Sequence, residues 1–515
     1  MTTFDLPKII RSRKPLAIWA TAFVAGLVAM VATFVITSPP GPGLDPDAAS
    51  YLGAAEALAH GSGYRVPVSD WTSADSTSAL THFPPGYPTA MALPILLGAA
   101  PRQAARIVDG VAAFIEFAVV TWVVASVTGA ITGLCLAAAL LVMHPIAVIH
   151  LSVLSEPLYL ACSLCALAAM VRLAESSSER HLAAALAAGI ASASAMLVRY
   201  IGLSVCAAVA LWIVIQHVPL VLKRRWSIAV SVPWIFLVGG WVAYVHLTSG
   251  VRSIRSMGAY GGFSETLAEG LSTVEAWLVP LSADQELTGR AWLALVFLVV
   301  LVALGILGAR RARGSTAATA IAASGILAIS YAVVLVVSRW LADPGIPFDE
   351  RLLAPLFVFG AIILAIALHA WWRTARVPIR TVFGALLVTW FAASYHASSD
   401  EIDYAMEFGG DFGQEQWRTS PLLAWTRTNA SGKILYSNWP PAIFFYLHRP
   451  AHELPNEADD AVLRAFADTI AARNAIVLLF DHPSPDQIDS TAILRLPSLR
   501  RIATVPDGSV FAPQR

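Results

Sequence analysis

Apolar runs of about 20 residues recur along roughly the first 400 positions, the length at which a helix crosses a hydrocarbon core about 30 Å thick. Inside such a core the backbone must satisfy its own hydrogen bonds, so each run predicts a helix. The pattern places spans at 16–37, 107–127, 130–149, 158–173, 182–198, 201–222, 228–247, 291–307, 317–337, 352–369 and 381–395. These make about eleven crossings. One further apolar stretch, 88–100, has only about 13 residues and predicts a re-entrant or interfacial helix.

Basic residues give the runs a direction, because short cytoplasmic loops collect Lys and Arg. Lys8, Arg11, Arg13 and Lys14 precede the first span, and no small-residue cleavage site follows it, so it predicts an uncleaved anchor with a cytoplasmic N-terminus. Alternation then puts Arg172 and Arg180, the Lys223-Arg224-Arg225 cluster, the cluster Arg310, Arg311 and Arg313, and the cluster Arg373, Arg376 and Arg380 on that same side. An odd number of crossings exports everything after about residue 396, as expected for a multi-pass protein of the cell inner (plasma) membrane.

Composition agrees: 57% of the 515 residues are hydrophobic and 13% charged, against about 25% charged in soluble domains. Cys135, Cys162, Cys165 and Cys206 all fall inside predicted spans, which suggests neither a disulfide framework nor a metal cluster. The expected architecture is an all-α polytopic membrane domain over 1–396, with extracytoplasmic loops at 38–106, 248–290 and 338–351, followed by a small extracytoplasmic α/β domain over 397–515. The tail carries 10 Lys+Arg against 15 Asp+Glu, net −5, while the whole chain sums to zero. Apolar runs at 433–437 and 475–480 predict buried strands there, with helices near 441–447 and 459–472. No glycine-rich phosphate loop follows either strand.

Residues able to carry chemistry gather at the exported ends of spans. The first loop opens Asp45-Pro46-Asp47, then Tyr51, and continues His60-Gly61-Ser62-Gly63-Tyr64. A carboxylate just outside the bilayer at a helix start suits a general base, and equally suits a helix cap. The loop closes His82-Phe83-Pro84-Pro85-Gly86-Tyr87-Pro88, a rigid entry into the membrane whose one titratable group, His82, could bind phosphate or position an acceptor. Ser155-Glu156-Pro157-Leu158-Tyr159 puts an acid at the membrane boundary, costly unless paired, though a helix-start dipole also favours it. Arg199-Tyr200 and Asp349-Glu350-Arg351 stand at headgroup depth, where arginine's planar donor fork suits phosphate oxygens and where arginines also snorkel. Asp109 falls near the outer end of the second span, with Arg106 as its expected partner, and Glu116 lies deeper.

The order of these motifs resembles the GT-C superfamily of membrane glycosyltransferases, which includes protein O-mannosyltransferases and lipid A aminoarabinose transferases. The resemblance covers roughly 40–360: Asp47 four residues before Tyr51, Gly-Ser-Gly-Tyr, the Pro-Pro-Gly-Tyr-Pro turn, Ser-Glu-Pro-Leu-Tyr, Arg-Tyr, and Asp-Glu-Arg before Pro355. It implies inverting transfer of a sugar from a polyprenyl-phosphate donor to a glycan, lipid or protein acceptor, with no nucleic acid involved. Asp47 would be the general base, Glu156 would bind acceptor or a divalent cation, and Arg351 with Arg199 would hold the lipid phosphate. Asp45, Tyr51, His82, Tyr200 and Asp349 complete the candidate binding residues. Two departures stand out: Asp45 and Asp47 offer two carboxylates where one base is expected, and His82 with Phe83 stands where many relatives place a basic residue before the double proline. A lipid or polysaccharide flippase, or a non-catalytic envelope-assembly protein, is the competing expectation. A flippase should instead show broken helices with polar residues at mid-membrane.

Overall fold

The computed structural model describes residues 15–175, 180–249, 262–280, 290–311, 315–341, 345–456, 459–482, 487–488 and 490–514. Lys8, Arg11, Arg13, Lys14, Arg252, Arg255, Arg313 and Asp343 lie outside the described residues.

The chain is mostly helical. Helix α1 (Pro15–Ile36) leads through an extended stretch to α2 (Pro46–Ala59), the short α3 (Gly86–Leu96), and the long α4 (Pro101–Thr128). Prolines open α2 and α4, where a missing N–H costs nothing. Then follow α5 (Ala130–Leu141), α6 (His144–Leu151), α7 (Glu156–Glu175), α8 (Arg180–Val198) and α9 (Leu203–Ile215). α10 (Leu220–Pro233) continues through a π-helical turn into α11 (Gly239–Ser249), and an amphipathic α12 (Phe263–Leu278) precedes α13 (Arg290–Arg311), α14 (Thr316–Leu341), α15 (Glu350–Trp372) and α16 (Val377–Phe408).

Among the described residues eight helices are long and apolar enough to cross a membrane, nine if the bent pair α5–α6 counts as one span. The chain is a multi-pass membrane protein. Large apolar side chains such as Phe23, Ile131, Phe236, Val299 and Leu386 point outward, as lipid requires and water would not tolerate in such number. Inside, α1 packs along α4, α7 along α8 and α14 along α15. Small residues permit this: Ala22, Ala25 and Ala29 are buried, and a Cβ on Gly26 would stand 2.5 Å from the Phe114 carbonyl oxygen on α4.

Several boundaries differ from the sequence pattern. The predicted span 130–149 is broken: α5 and α6 bend by 60° at Val142–Met143. Pro145 opens the second half, and its ring keeps the preceding chain from continuing the helix. Span 201–222 shortens to the 13-residue α9, and span 291–307 falls on α13. Lys223, Arg224 and Arg225 lie within α10 rather than in a loop. Lys and Arg are good helix formers, so charge marks where the helix leaves lipid, not where it ends. The same holds at residue 396, which falls inside the continuous 32-residue α16. Its end is set by Gly409 at φ +79. α3 has 11 residues, about 16 Å of helix, too short to cross.

Beyond α16 the chain forms α17 (Glu415–Arg418), α18 (Pro421–Asn429), α19 (Pro440–Leu447), α20 (Asp460–Ala472) and α21 (Ser490–Leu494) around a six-stranded sheet. Numbered along the chain, β1 (Arg65–Val66), β2 (Val68–Ser69) and β3 (Ser78–Ala79) come from the first loop; β4 (Leu435–Ser437), β5 (Ala451–His452), β6 (Ile476–Phe480), β7 (Leu499–Val505) and β8 (Gly508–Pro513) come from the tail. The sheet order is β2-β5-β4-β6-β8-β7, parallel from β2 to β6 and antiparallel beyond. Its edge strand is thus lent by the first loop. His452 fixes that joint: it bonds the Ser69 hydroxyl at 2.8 Å and the Ser76 hydroxyl at 3.0 Å, and stacks on Tyr436 with centroids 4.5 Å apart.

Candidate functional site

Three segments distant in sequence are laced together where α1, α6 and α16 end. Gly43 N–H donates to the Leu151 carbonyl and its own carbonyl accepts from Val153 N–H, both at 2.9 Å. Leu44 N–H donates to the Gly410 carbonyl at 3.2 Å, and its carbonyl accepts from Phe412 N–H at 3.1 Å. The approach is close: a Cβ on Gly43 would stand 2.3 Å from Ser152 Oγ and 3.3 Å from Gly410 Cα. This lacing sets Asp45, which follows Leu44, beside Glu156, which follows Ser155.

Glu156 is the centre of the site. Its side chain is 4% exposed, and two guanidiniums share it: Arg199 Nη1 lies 2.5 Å from Oε2 and Arg351 Nε lies 3.1 Å from Oε1. Arg351 also reaches outward, its Nη1 3.2 Å from Asp45 Oδ2. Asp45 in turn caps α2, Oδ1 accepting the Asp47 N–H at 3.0 Å. A carboxylate this buried is tolerable only when paired, and each of its oxygens has a cation. Ser155 knits the group: its hydroxyl accepts from Arg199 Nη1 at 3.1 Å and lies 3.2 Å from the Tyr51 hydroxyl. Tyr51 is itself wedged between Phe83 and Tyr87, with ring centroids 4.8 and 5.2 Å away.

Asp47, in the first turn of α2, differs from its neighbours. Among the described residues its carboxylate has no hydrogen-bond or ion-pair partner. Burial, reinforced by the negative charge of Asp45 and only partly offset by Arg351, pushes its carboxyl up to about 6. Burial also raises the Tyr51 phenol, so Tyr51 stays a neutral donor.

The structure brings Asp45, Asp47, Tyr51, Glu156, Arg199 and Arg351 together, with Asp349 within their electrostatic reach but engaged elsewhere, and Tyr200 and His82 directed to other neighbours. Asp349 caps α15, its Oδ1 accepting the Leu352 N–H at 2.8 Å, and burial raises its carboxyl. Tyr200 turns away from Arg199's partners, donating to the Thr81 carbonyl at 3.2 Å and accepting from Trp241 Nε1 at 3.3 Å. His82 is exposed and lies edge-on to Phe83 at 4.6 Å, one residue beyond the Tyr51 wall. The expected pairing of Asp109 with Arg106 is not made. Asp109 accepts from the Tyr87 hydroxyl at 3.0 Å, whereas Arg106 donates to Thr37 Oγ1 and the Phe34 carbonyl at 3.1 and 2.9 Å. The two share a helix but point to different neighbours. Glu116 faces His150 at 3.3 Å, both buried.

Both oxygens of Glu156 face guanidiniums, Oε2 toward Arg199 Nη1 and Oε1 toward Arg351 Nε. Among the described residues no set of three or more His, Cys, Asp or Glu is placed to hold a metal ion.

Two contributors escaped the sequence reading. Ser155 lies in the Ser-Glu-Pro-Leu-Tyr motif, but its role comes from Tyr51 and Arg199, which only packing brings to its hydroxyl. The turn Gly409-Gly410-Asp411-Phe412-Gly413, which bridges to Leu44 and leaves Asp411 exposed beside Asp45, carries only glycine spacing as a signal.

No protein-family profile matches the chain, and no curated protein matches it in sequence. Solved structures do. ArnT from Cupriavidus metallidurans bound to undecaprenyl phosphate superposes with a TM-score of 0.63 at 15% identity, covering 96% of this chain and 98% of that one. The arabinofuranosyltransferase AftD from Mycobacteria gives 0.60 at 15% identity over 96% of this chain and 40% of that one. The archaeal oligosaccharyltransferase AglB from Archaeoglobus fulgidus, in complex with an inhibitory peptide and a dolichol-phosphate, gives 0.52 at 13% identity over 89% and 69%. Over nearly its whole length the chain therefore shares the fold of these solved structures, as the order of its motifs leads us to expect.

Proposed function

We propose that this protein is an inverting membrane glycosyltransferase that moves a sugar from a polyprenyl-phosphate donor to an acceptor hydroxyl at the extracytoplasmic face. The observation that carries the reading is the pair of arginines joined through one buried Glu156, beside Asp47, whose carboxyl burial pushes up to about 6. Contacts with Glu156 and Asp45 leave N–H donors on both guanidiniums for phosphate oxygens. The fold, shared with a protein bound to undecaprenyl phosphate, supports the same donor chemistry.

The mechanism needs little beyond positioning. A sugar on a lipid phosphate already has a good leaving group. Asp47, ionised above its raised pKa, takes the proton of the acceptor hydroxyl as its oxygen attacks the anomeric carbon. The C–O bond to phosphate breaks on the opposite side, and Arg351 with Arg199 stabilises the departing phosphate. Asp45 is occupied by the α2 N-terminus and Arg351, which favours Asp47 as the base.

In this reading the N-terminus is cytoplasmic, the chain makes eleven crossings of the plasma membrane, and the exported part, expected from 397, forms an α/β domain over the mouth of the site once α16 has ended at Phe408. The basic clusters, and the way α16 delivers its terminal turn to Leu44, support that arrangement. The test is a donor screen: purified protein with a panel of polyprenyl-phosphate sugars, detecting released polyprenyl phosphate. Release that depends on Asp47 supports the assignment; no release from any donor, with intact protein, rejects it.

A further inference from the structure

His144 opens α6 just after the break at Val142–Met143. Its Nδ1 contacts Glu350 Oε2 and its Nε2 contacts Glu401 Oε2. A ring nitrogen facing a carboxylate donates to it, so with both nitrogens so placed the ring carries both protons and a positive charge. One side chain thus ties together α6, the first turn of α15 and the far stretch of α16.

Both carboxylates border the framework described above, from opposite sides. Glu350 immediately precedes Arg351, so the placement of that turn determines where the guanidinium reaches. Glu401 lies on the helix that ends at Phe408 and lays Gly410 and Phe412 against Leu44, the residue before Asp45. Along α16 the buried side chains are Ser394 and Ser398 alone among its described residues. Few buried side chains fix that helix lengthwise, and the ionic contact at Glu401 adds to the Trp390 indole bond to the Leu278 carbonyl in holding it.

We propose that His144 is a positioning residue that registers Arg351 against Asp45, and that through Arg351 it sets the affinity of the site for a lipid-linked phosphate. The inference rests on the transferase reading above. It concerns a residue that touches neither donor nor acceptor.

The test uses the full chain in detergent, with undecaprenyl phosphate as the probe and the thermal midpoint measured beside each Kd. His144→Gln keeps at most one of the two contacts as a donor, and its Kd is expected to rise about tenfold, within the coupling range of residues sharing one ion-pair network. His144→Lys retains a cation with several donors between the carboxylates and is expected to restore the Kd to within about twofold of wild type. A merely structural role would lower the thermal midpoint of His144→Gln while leaving the Kd of the folded protein near wild type. Wild-type affinity in His144→Gln overturns the proposal, as does a His144→Lys as weak as His144→Gln with its thermal midpoint intact. If wild-type protein itself fails to bind undecaprenyl phosphate, the transferase reading falls first and this proposal with it.

Discussion

Arg351 Nε lies 3.1 Å from Glu156 Oε1, joining the start of α15 to the start of α7 across the bundle. That contact neutralises a buried acid at the membrane boundary and, through Asp45, fixes the N-terminus of α2, where Asp47 stands.

Removing Glu156 should therefore cost more than removing an ordinary surface acid. Glu156→Ala leaves two guanidiniums without their shared counter-ion, and breaking a buried pair in this way costs about 3–5 kcal/mol. Glu156→Gln keeps an acceptor and should lose less. Denaturation in detergent should rank wild type above Gln above Ala; equal stabilities would contradict the central role of the ion pair.

Asp47→Asn should separate chemistry from binding. Turnover is expected to fall by roughly 10²–10⁴-fold, the usual weight of a general base. Affinity for undecaprenyl phosphate should stay near the wild-type value, because the arginines remain. A variant that retains full turnover would move the base elsewhere, with Asp45 the next to test.

The raised Asp47 carboxyl predicts the acid limb of the rate profile. With a pKa of about 6, the base is protonated and idle below that pH, so kcat/KM should fall tenfold per unit as pH drops beneath it. Stability runs the other way. A carboxyl whose folded pKa lies above its ordinary 3.8 favours the fold when protonated, and that contribution is lost as pH rises through about 6. Asp47→Asn should consequently melt higher than wild type at pH 7 and no higher at pH 4.

Gly43→Ala should disrupt the lacing of the site. Its Cβ would stand 2.3 Å from Ser152 Oγ and 3.3 Å from Gly410 Cα, so the Ser152 hydroxyl must rotate away and the neighbouring chain give slightly, at about 1 kcal/mol. Gly239→Ala is the control: nothing lies within 4 Å of its Cβ, and alanine favours the helix. Thermal midpoints in opposite directions are expected.

The joint between first loop and tail should weaken in acid. Burial, aided by Arg473, holds His452 below the usual histidine range, so it is neutral in the fold. Its depressed pKa means that stability is present above about 6.5 and is lost as pH falls below it. Limited proteolysis of 69–81 should accelerate at pH 5 in wild type but be pH-independent, and fast throughout, in His452→Ala.

What the sequence by itself determined is what depends on local composition. Runs of apolar residues mark which segments can span a bilayer, and Asp45-Pro46-Asp47 marks the start of α2. The order of short motifs was enough to read the GT-C fold. Buried strands at Leu435–Ser437 and Ile476–Phe480 were legible as apolar runs, whereas the half-exposed β7 and the two-residue β2 and β5 were not, since their pairing is long-range. Only the tertiary structure decided the partners. It gave Glu156 to two arginines, Asp349 to the backbone of its own helix, and Asp109 to Tyr87 rather than to Arg106. It also split α5 from α6 and lent Val68–Ser69 to the tail's sheet. A side chain's charge can be read from its letter, but its partner is set by which distant segment packs beside it, and that information resides in the packing of the whole chain.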